Sequence, residues 1–159
     1  MSELLAYYEA VREYPAPILE RPAEDVKIAL TEKSGLMWIP VVVNGKTYDF
    51  ILDTGASFTM ISQDLAKDMG AQIISNPVFV RGGESPGGYG QRAFIENMNL
   101  GPVSLKNIIA FVSENPSDDD PLKVDAVLGM DFIKRAGEIQ IDPSTMALTI
   151  PVQKTLPRY

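Results

Sequence analysis

The most constraining feature of the sequence is a pair of apolar segments joined by Asn44-Gly45. Residues 36–43 are mostly apolar, and residues 46–52 form a second apolar segment that ends directly before Asp53. Asn-Gly is a strong signal for a two-residue β-hairpin, because both residues tolerate the positive φ that such a turn requires. We therefore expect a return strand that delivers Asp53 to a turn.

A period-two pattern of apolar residues recurs along most of the chain, as in half-buried strands. Strands are expected at residues 26–31, 36–43, 46–52, 58–61, 73–80, 92–100, 103–112, 123–128, 138–141 and 146–150. A short helix is expected at 63–69, between a capping Ser62 and a terminating Gly70, and another at 131–136. Many short strands with few helices predict an all-β fold, a small closed barrel.

The two ends of the chain differ from this pattern. Ser2 to Tyr14 has apolar residues at helical spacing and predicts an extra N-terminal helix, either a packed arm or the tail of a preceding helical domain. The Pro-rich residues 15–22 indicate a linker. We expect the helix and linker over residues 1–25, the β domain over 26–151 and a C-terminal tail over 152–159.

Composition removes several kinds of chemistry. His and Cys are both absent, which excludes Ser-His-Asp and Cys-His catalysis and zinc sites with His or Cys ligands. We expect no cofactor and no metal. A net charge of −7 disfavours nucleic-acid partners, because phosphate binding requires a basic surface.

Targeting signals are also absent from the sequence. No apolar run reaches the length that spans a bilayer, and residues 1–14 lack the basic-then-apolar order of a signal peptide. We expect a soluble protein without membrane insertion, cytoplasmic or, if a leader has been removed, periplasmic.

Acid–base chemistry in this chain must use carboxylates, Tyr or Lys, and Asp53 is the first candidate. Ile51 and Leu52 should anchor its turn in the core, while Thr54 offers a hydroxyl group and Gly55 a backbone N–H. A buried, hydrogen-bonded carboxylate on such a turn is a candidate acid or base. Asp-Thr-Gly is also a common loop-closing sequence, so an active site and a structural turn both remain open on these grounds.

Two further acidic positions have structural interpretations. Asp131 stands at the start of the second predicted helix, where a carboxylate favours the helix N-terminus. The run 118–120 is expected to be a solvated acidic loop, because it lacks the spacing of a calcium-binding loop.

The wider context of Asp53 resembles a known family. Residues 50–57, Phe-Ile-Leu-Asp-Thr-Gly-Ala-Ser, resemble the active-site loop of the retropepsin-like aspartic proteases. Residues 124–133, which contain Val-Leu-Gly before a short helix, resemble the second conserved element of that family. The Gly-rich residues 81–90 stand between the two, where the family carries its flap. The resemblance covers roughly residues 26–150.

This resemblance implies an aspartic endopeptidase with Asp53 as the catalytic acid. Thr54 would bridge two loops across a dimer axis, and Gly55 would donate its N–H to the carboxylate. Asp-Thr-Gly occurs once in the sequence, whereas pepsin-like chains carry two such lobes. A C2 homodimer with Asp53 on its axis is therefore expected, acting on a protein or peptide substrate.

Two alternatives stay open beside this interpretation. The flap would contribute substrate contacts from Gly82, Gly83, Gly87, Gly88 and Tyr89, but the same residues also fit a surface loop without function. The whole chain also fits a non-catalytic dimerisation or peptide-binding module on the same fold.

Overall fold

The computed structural model describes residues 14–80 and 88–152. The strands of these ranges are β1 Ile18–Glu20, β2 Val26–Ala29, β3 Thr31–Lys33, β4 Leu36–Val43, β5 Lys46–Leu52, β6 Met60–Ser62, β7 Gln72–Ile73, β8 Val78–Val80, β9 Gly88–Leu100, β10 Val103–Ser113, β11 Ala126–Leu128, β12 Gln140–Asp142 and β13 Ala147–Ile150. The helices are α1 Gln63–Met69 and α2 Met130–Ala136. Neither helix is long and apolar enough to cross a membrane. The predicted N-terminal helix, apart from Tyr14, lies outside the described residues.

Six strands close into a barrel in the order β10, β6, β11, β5, β4 and β9, and β9 pairs back with β10. The pairs β10–β6 and β11–β5 are parallel, and the other barrel pairs are antiparallel. Strands β12, β13 and β2 form a separate three-stranded sheet. The predicted all-β barrel with two short helices is thus confirmed.

The core fills as the period-two pattern predicts. In the β2 region, Val26, Ile28 and Leu30 are buried while the residues between them are exposed. Phe50 of β5 and Phe132 of α2 are among the largest fully buried side chains. Full burial of a side chain of this size contributes about 2–3 kcal/mol. Phe50 anchors β5, which leads into the Asp53 turn. Phe132 anchors α2, which follows the segment that packs against this turn.

The β4–β5 turn and both ends of α1 formed as predicted. Asn44 and Gly45 have φ values of 51° and 77°, and they connect β4 to β5 as a hairpin. The Ser62 side chain accepts a hydrogen bond from the Leu65 N–H at the start of α1. Gly70 ends α1 in the left-handed conformation, with φ of 70°.

Several regions differ from the sequence prediction. The strand expected at residues 26–31 is divided between β2 and β3, and β9 begins at Gly88 rather than at residue 92. The single strand expected at residues 73–80 is divided into β7 and β8, and Pro77, which lacks a backbone donor, lies in the gap. Within the Pro-rich segment, Ile18–Glu20 form β1, which pairs antiparallel with residues 104–106 of β10. Arg21, directly after β1, donates from its guanidinium group to the carbonyl groups of Ile150 and Pro151. The segment before Val26 therefore contacts both the barrel and the end of β13.

Candidate active site

Asp53 stands at the end of β5, where the parallel pairing with β11 finishes. Its N–H donates to the Leu128 carbonyl group at 3.1 Å. The Gly55 N–H donates to Oδ1 of Asp53 at 2.8 Å, and the Ala56 N–H donates to the Asp53 carbonyl group at 3.3 Å. The loop itself thereby orients the carboxylate.

The carboxylate faces outward in the single chain. Asp53, Thr54 and Gly55 are all exposed, so the expectation of a buried Asp53 is wrong for one copy of the chain. The physical reason is the strand register: Phe50 and Leu52 point into the core, and the chain leaves the barrel directly after them. The three predicted catalytic residues lie together on one exposed loop.

The loop rests on the segment that links β11 to α2. The Met130 N–H donates to the Ala56 carbonyl group at 2.7 Å. A Cβ atom on Gly129 would lie 2.7 Å from the carbonyl oxygen atoms of both Ala56 and Phe58. Real Cβ atoms do not approach backbone atoms this closely, so the contact requires a glycine. The Val-Leu-Gly element and the Asp53 loop thus form one packed unit.

A buried threonine joins the far end of the same loop to α2. Thr59 is 1% exposed, and its N–H donates to Oδ2 of Asp131 at 2.9 Å. Its hydroxyl group donates to Oδ1 of Asp131 at 2.8 Å, and the Phe132 N–H donates to the same oxygen at 2.9 Å. Asp131 therefore does stand at the start of the helix, as predicted. Its hydrogen bonds to Thr59, 72 residues away in the sequence, could not be predicted from the residues around Asp131.

An apolar row crosses the outer face of the barrel beside this loop. The register pairs Ile51 with Trp38 on one side and with Val127 on the other, and Val127 pairs with Met60. Paired residues share one face of a sheet, and Ile51 lies on the face opposite to Phe50 and Leu52, although it is itself buried, with 6% of its surface exposed. The row therefore lies outside the barrel, within a few residues of Asp53 and Gly129. This outer row was not predicted from the sequence, because it depends on pairing between distant strands.

The predicted flap is described only at its base. β8 and β9 form an antiparallel ladder that pairs Val80 with Gly88 and Phe79 with Tyr89. Gly82, Gly83 and Gly87 lie outside the described residues. Gly90 is buried at the base of the ladder, and a Cβ atom there would overlap the Phe111 ring and lie 2.6 Å from the Val112 carbonyl oxygen. Close packing therefore holds the hairpin base against β10.

The acidic loop offers no cation site in the described part of the chain. In residues 14–80 and 88–152, no group of three or more acidic side chains is arranged to hold a metal ion. Within the loop itself, Oδ1 of Asp120 accepts the Leu122 N–H at 3.0 Å.

Two solved structures are similar to this chain. A crystal structure of a retropepsin-like aspartic protease from Rickettsia conorii is similar, with 21% identity, a TM-score of 0.56 and coverage of 84% of this chain and 90% of that chain. The retroviral protease-like domain of Ddi1 from Leishmania major has 19% identity, a TM-score of 0.47 and coverage of 69% and 82%, respectively. No curated protein sequence matches the chain.

The fold defines a retropepsin-like aspartic protease scaffold. A family model described as "Aspartyl protease" matches residues 39–132, which run from β4 through the Asp53 loop to the start of α2. The chain belongs to this aspartyl protease family.

Proposed function

We propose that the protein is an aspartic endopeptidase, with the Asp53 carboxylate as its catalytic group. The observation that carries this proposal is the Asp53 loop itself. An exposed carboxylate is oriented by the Gly55 N–H at 2.8 Å, on a loop fixed to β11 and α2, in a chain of the aspartyl protease family. The exposure leaves both carboxylate and loop available to a substrate and to a second copy of the chain.

The catalytic unit in this proposal is a C2 homodimer. Asp-Thr-Gly occurs once in the chain, and the chemistry below requires two carboxylates in contact. A two-fold axis through the Asp53 loops supplies the second carboxylate from an identical surface. The exposed Thr54 stands next to Asp53 in the loop, where its hydroxyl group can bridge to the partner.

The paired carboxylates divide the acid and base roles between them. Two carboxylates in contact do not both ionise, so the pair shares one proton. The ionised member acts as general base on a water molecule held between the two. The protonated member hydrogen-bonds the scissile carbonyl group and stabilises the developing oxyanion. No covalent intermediate forms.

The substrate in this proposal is an extended peptide segment. Backbone hydrogen bonds would hold it as an added strand, and the apolar outer row would contact its side chains. Trp38, Val127 and Met60 of that row are all partly exposed, which suits contact with apolar substrate residues. In this proposal, the predicted flap at residues 81–90 would close over the peptide and exclude water.

Digestion of a peptide library at about pH 4 to 7 tests the proposal, because paired carboxylates titrate on the acidic side of neutrality. The Asp53→Asn variant removes the acid while keeping the side-chain size. Asp49→Asn is the matched control, since Asp49 is an exposed residue of β5, four positions before Asp53. We expect cleavage by the wild type and by Asp49→Asn, and none by Asp53→Asn.

Light scattering provides the second readout, with an expected mass near twice 17.4 kDa. Cleavage that persists in Asp53→Asn would refute the assigned site. A dimer that cleaves nothing in any of the three forms would favour the non-catalytic peptide-binding module.

A further inference from the structure

We propose that Asp131 is a positioning residue for catalysis, which acts by fixing the loop that carries Asp53. This inference rests on the proposed peptidase function for its kinetic consequence, but its structural part stands on hydrogen bonds within one chain. Among the described residues, no hydrogen bond joins the Asp131 and Asp53 side chains. The Asp131 carboxylate instead holds Thr59, the residue at which the exposed loop re-enters the core.

The loop from Asp53 to Thr59 is held at its beginning, middle and end by one short segment. Leu128 accepts the Asp53 N–H through its carbonyl group, and Met130 donates its N–H to the Ala56 carbonyl group. Asp131 accepts two hydrogen bonds from Thr59. Two of these three partners, in Leu128 and Met130, are backbone groups, which every residue type provides. The third is a side chain, so the sequence controls loop position most directly at Asp131.

The bonds at Asp131 require a carboxylate rather than an amide. Oδ2 accepts the Thr59 N–H, while Oδ1 accepts the Thr59 hydroxyl group and the Phe132 N–H. An asparagine side chain has one acceptor oxygen and one donor NH2 group. Whichever way the amide turns, it would place a donor against a donor of Thr59 or Phe132. An unsatisfied donor beside the 1%-exposed Thr59 would shift the loop until water or a new partner reached it.

Thr59 also connects the loop to the barrel wall. Its carbonyl group accepts the Phe111 N–H of β10 at 2.9 Å. Loss of the Asp131 contacts would leave this backbone bond in place. The barrel should therefore persist in an Asp131 variant, while the Asp53 loop loses its lateral support from α2.

Steady-state kinetics of Asp131→Asn, measured on a peptide that the wild type cleaves, provide the first test. Displacement of a catalytic group by about 1 Å costs on the order of 100-fold in rate, so we expect a fall of about that size in kcat. KM should change by less than about threefold, because the apolar outer row, which contacts the substrate in the proposed function, includes neither Asp131 nor Thr59. A purely structural role would lower the folded fraction without lowering kcat per folded molecule.

The matched control is Asp64→Asn, which removes a first-turn carboxylate from α1. Within the described residues, no hydrogen bond joins the Asp64 side chain to the Asp53 loop, so kcat should equal that of the wild type. Thr59→Ser keeps both Asp131 contacts and should also retain wild-type kcat. Thr59→Val keeps the N–H contact but loses the hydroxyl contact, and we expect a fall in kcat of about tenfold.

Amide hydrogen exchange gives a readout that does not depend on cleavage. In Asp131→Asn, exchange at Thr59 and Met130 should accelerate by about tenfold or more, while exchange at the buried Ile39 of β4 stays unchanged. Asp64→Asn should leave all three exchange rates as in the wild type.

The outcomes separate this inference from the proposed function. If the wild type cleaves nothing, the proposed function fails, and the exchange rates alone decide whether Asp131 fixes the loop. Wild-type kcat in Asp131→Asn, or an equal loss in Asp64→Asn, would overturn the positioning role. Unchanged exchange at Thr59 and Met130 would overturn its structural part. If Asp131→Asn does not fold, Thr59→Val and Thr59→Ser carry the same comparison.

Discussion

Gly129 lies so close beneath the Asp53 loop that no side chain fits there. Its φ of −106° is open to any residue, so the requirement is steric and does not come from the backbone conformation. The oxygen atoms that a Cβ atom would meet belong to Ala56 and Phe58, on either side of the exposed Ser57. One missing methyl group therefore allows the loop that presents Asp53 to pack on the start of α2.

At this scale, we predict that Gly129→Ala destabilises the protein by about 2 kcal/mol, the usual cost of overpacking. Cleavage should fall by at least about tenfold, because the Asp53 loop must move away from α2. Urea unfolding and peptide cleavage measure the two effects. Gly35→Ala is the control: Gly35 has φ of +75° and open space around it, so strain of about 1 kcal/mol should leave cleavage intact. Equal behaviour of the two variants would contradict this role of Gly129.

Individual residues were predictable where their chemistry is local. Asn44-Gly45 and Gly70 were readable from sequence because positive φ and helix termination depend on a few adjacent residues. The hydrogen bond from the Gly55 N–H to Asp53 is equally local, because the two residues are two positions apart in the sequence. The hydrogen bonds between Thr59 and Asp131 join segments that are far apart in the sequence, so the residues around either one do not predict them.

At the scale of elements, the β4–β5 hairpin is tied to α1. Asn44 donates from Nδ2 to the Met69 carbonyl group at 2.6 Å. The Asp68 carboxylate accepts hydrogen bonds from the Lys46 ammonium group at 2.6 Å and from the Tyr48 hydroxyl group at 2.7 Å. Because β5 ends at the Asp53 loop and α1 follows β6 beyond it, these contacts hold both flanks of the loop in one arrangement.

The Tyr48–Asp68 pair should make stability depend on alkaline pH. Burial, followed by the hydrogen bond to Asp68 and the charge of Asp68, raises the pKa of Tyr48 from 10.0 to about 12. A raised folded-state pKa means that the stabilisation is complete below pH 10.0 and is lost as pH rises towards about 12. The free energy of unfolding should therefore fall more steeply in this range for the wild type than for Tyr48→Phe.

Urea unfolding across that pH range measures the difference between the two proteins. Asp68→Asn should give an intermediate slope, since it removes the charge of Asp68 and leaves the burial of Tyr48. A Tyr48→Phe variant with the wild-type slope would show that Tyr48 does not contribute to the pH dependence.

The elements themselves were readable to different degrees. Long strands, such as β4, β5 and β10, appeared within a residue or two of their predicted bounds. β1 was not readable because its three residues are held by pairing with Ser104–Lys106, far along the chain. The same limit applies to the parallel pairs of the barrel, which place Trp38, Ile51, Val127 and Met60 in one outer row.

At the scale of the whole molecule, one copy of the chain presents a surface rather than a closed site. Asp53, Thr54 and Gly55 are exposed together, and Phe58 is 51% exposed beside them. Burial of a large apolar side chain is a general source of stability in an interface. An exposed Phe next to an exposed acid fits the proposed contact between two copies.

Mixing of wild-type and Asp53→Asn subunits tests the shared site most directly. After subunit exchange at equal amounts and constant total protein, random pairing in a C2 dimer leaves about one quarter of the dimers with two Asp53 residues. If each active site needs Asp53 from both subunits, the cleavage rate should fall to about one quarter of the all-wild-type rate. A rate of about one half would show that each chain cleaves with its own Asp53 alone, and that result would contradict the account.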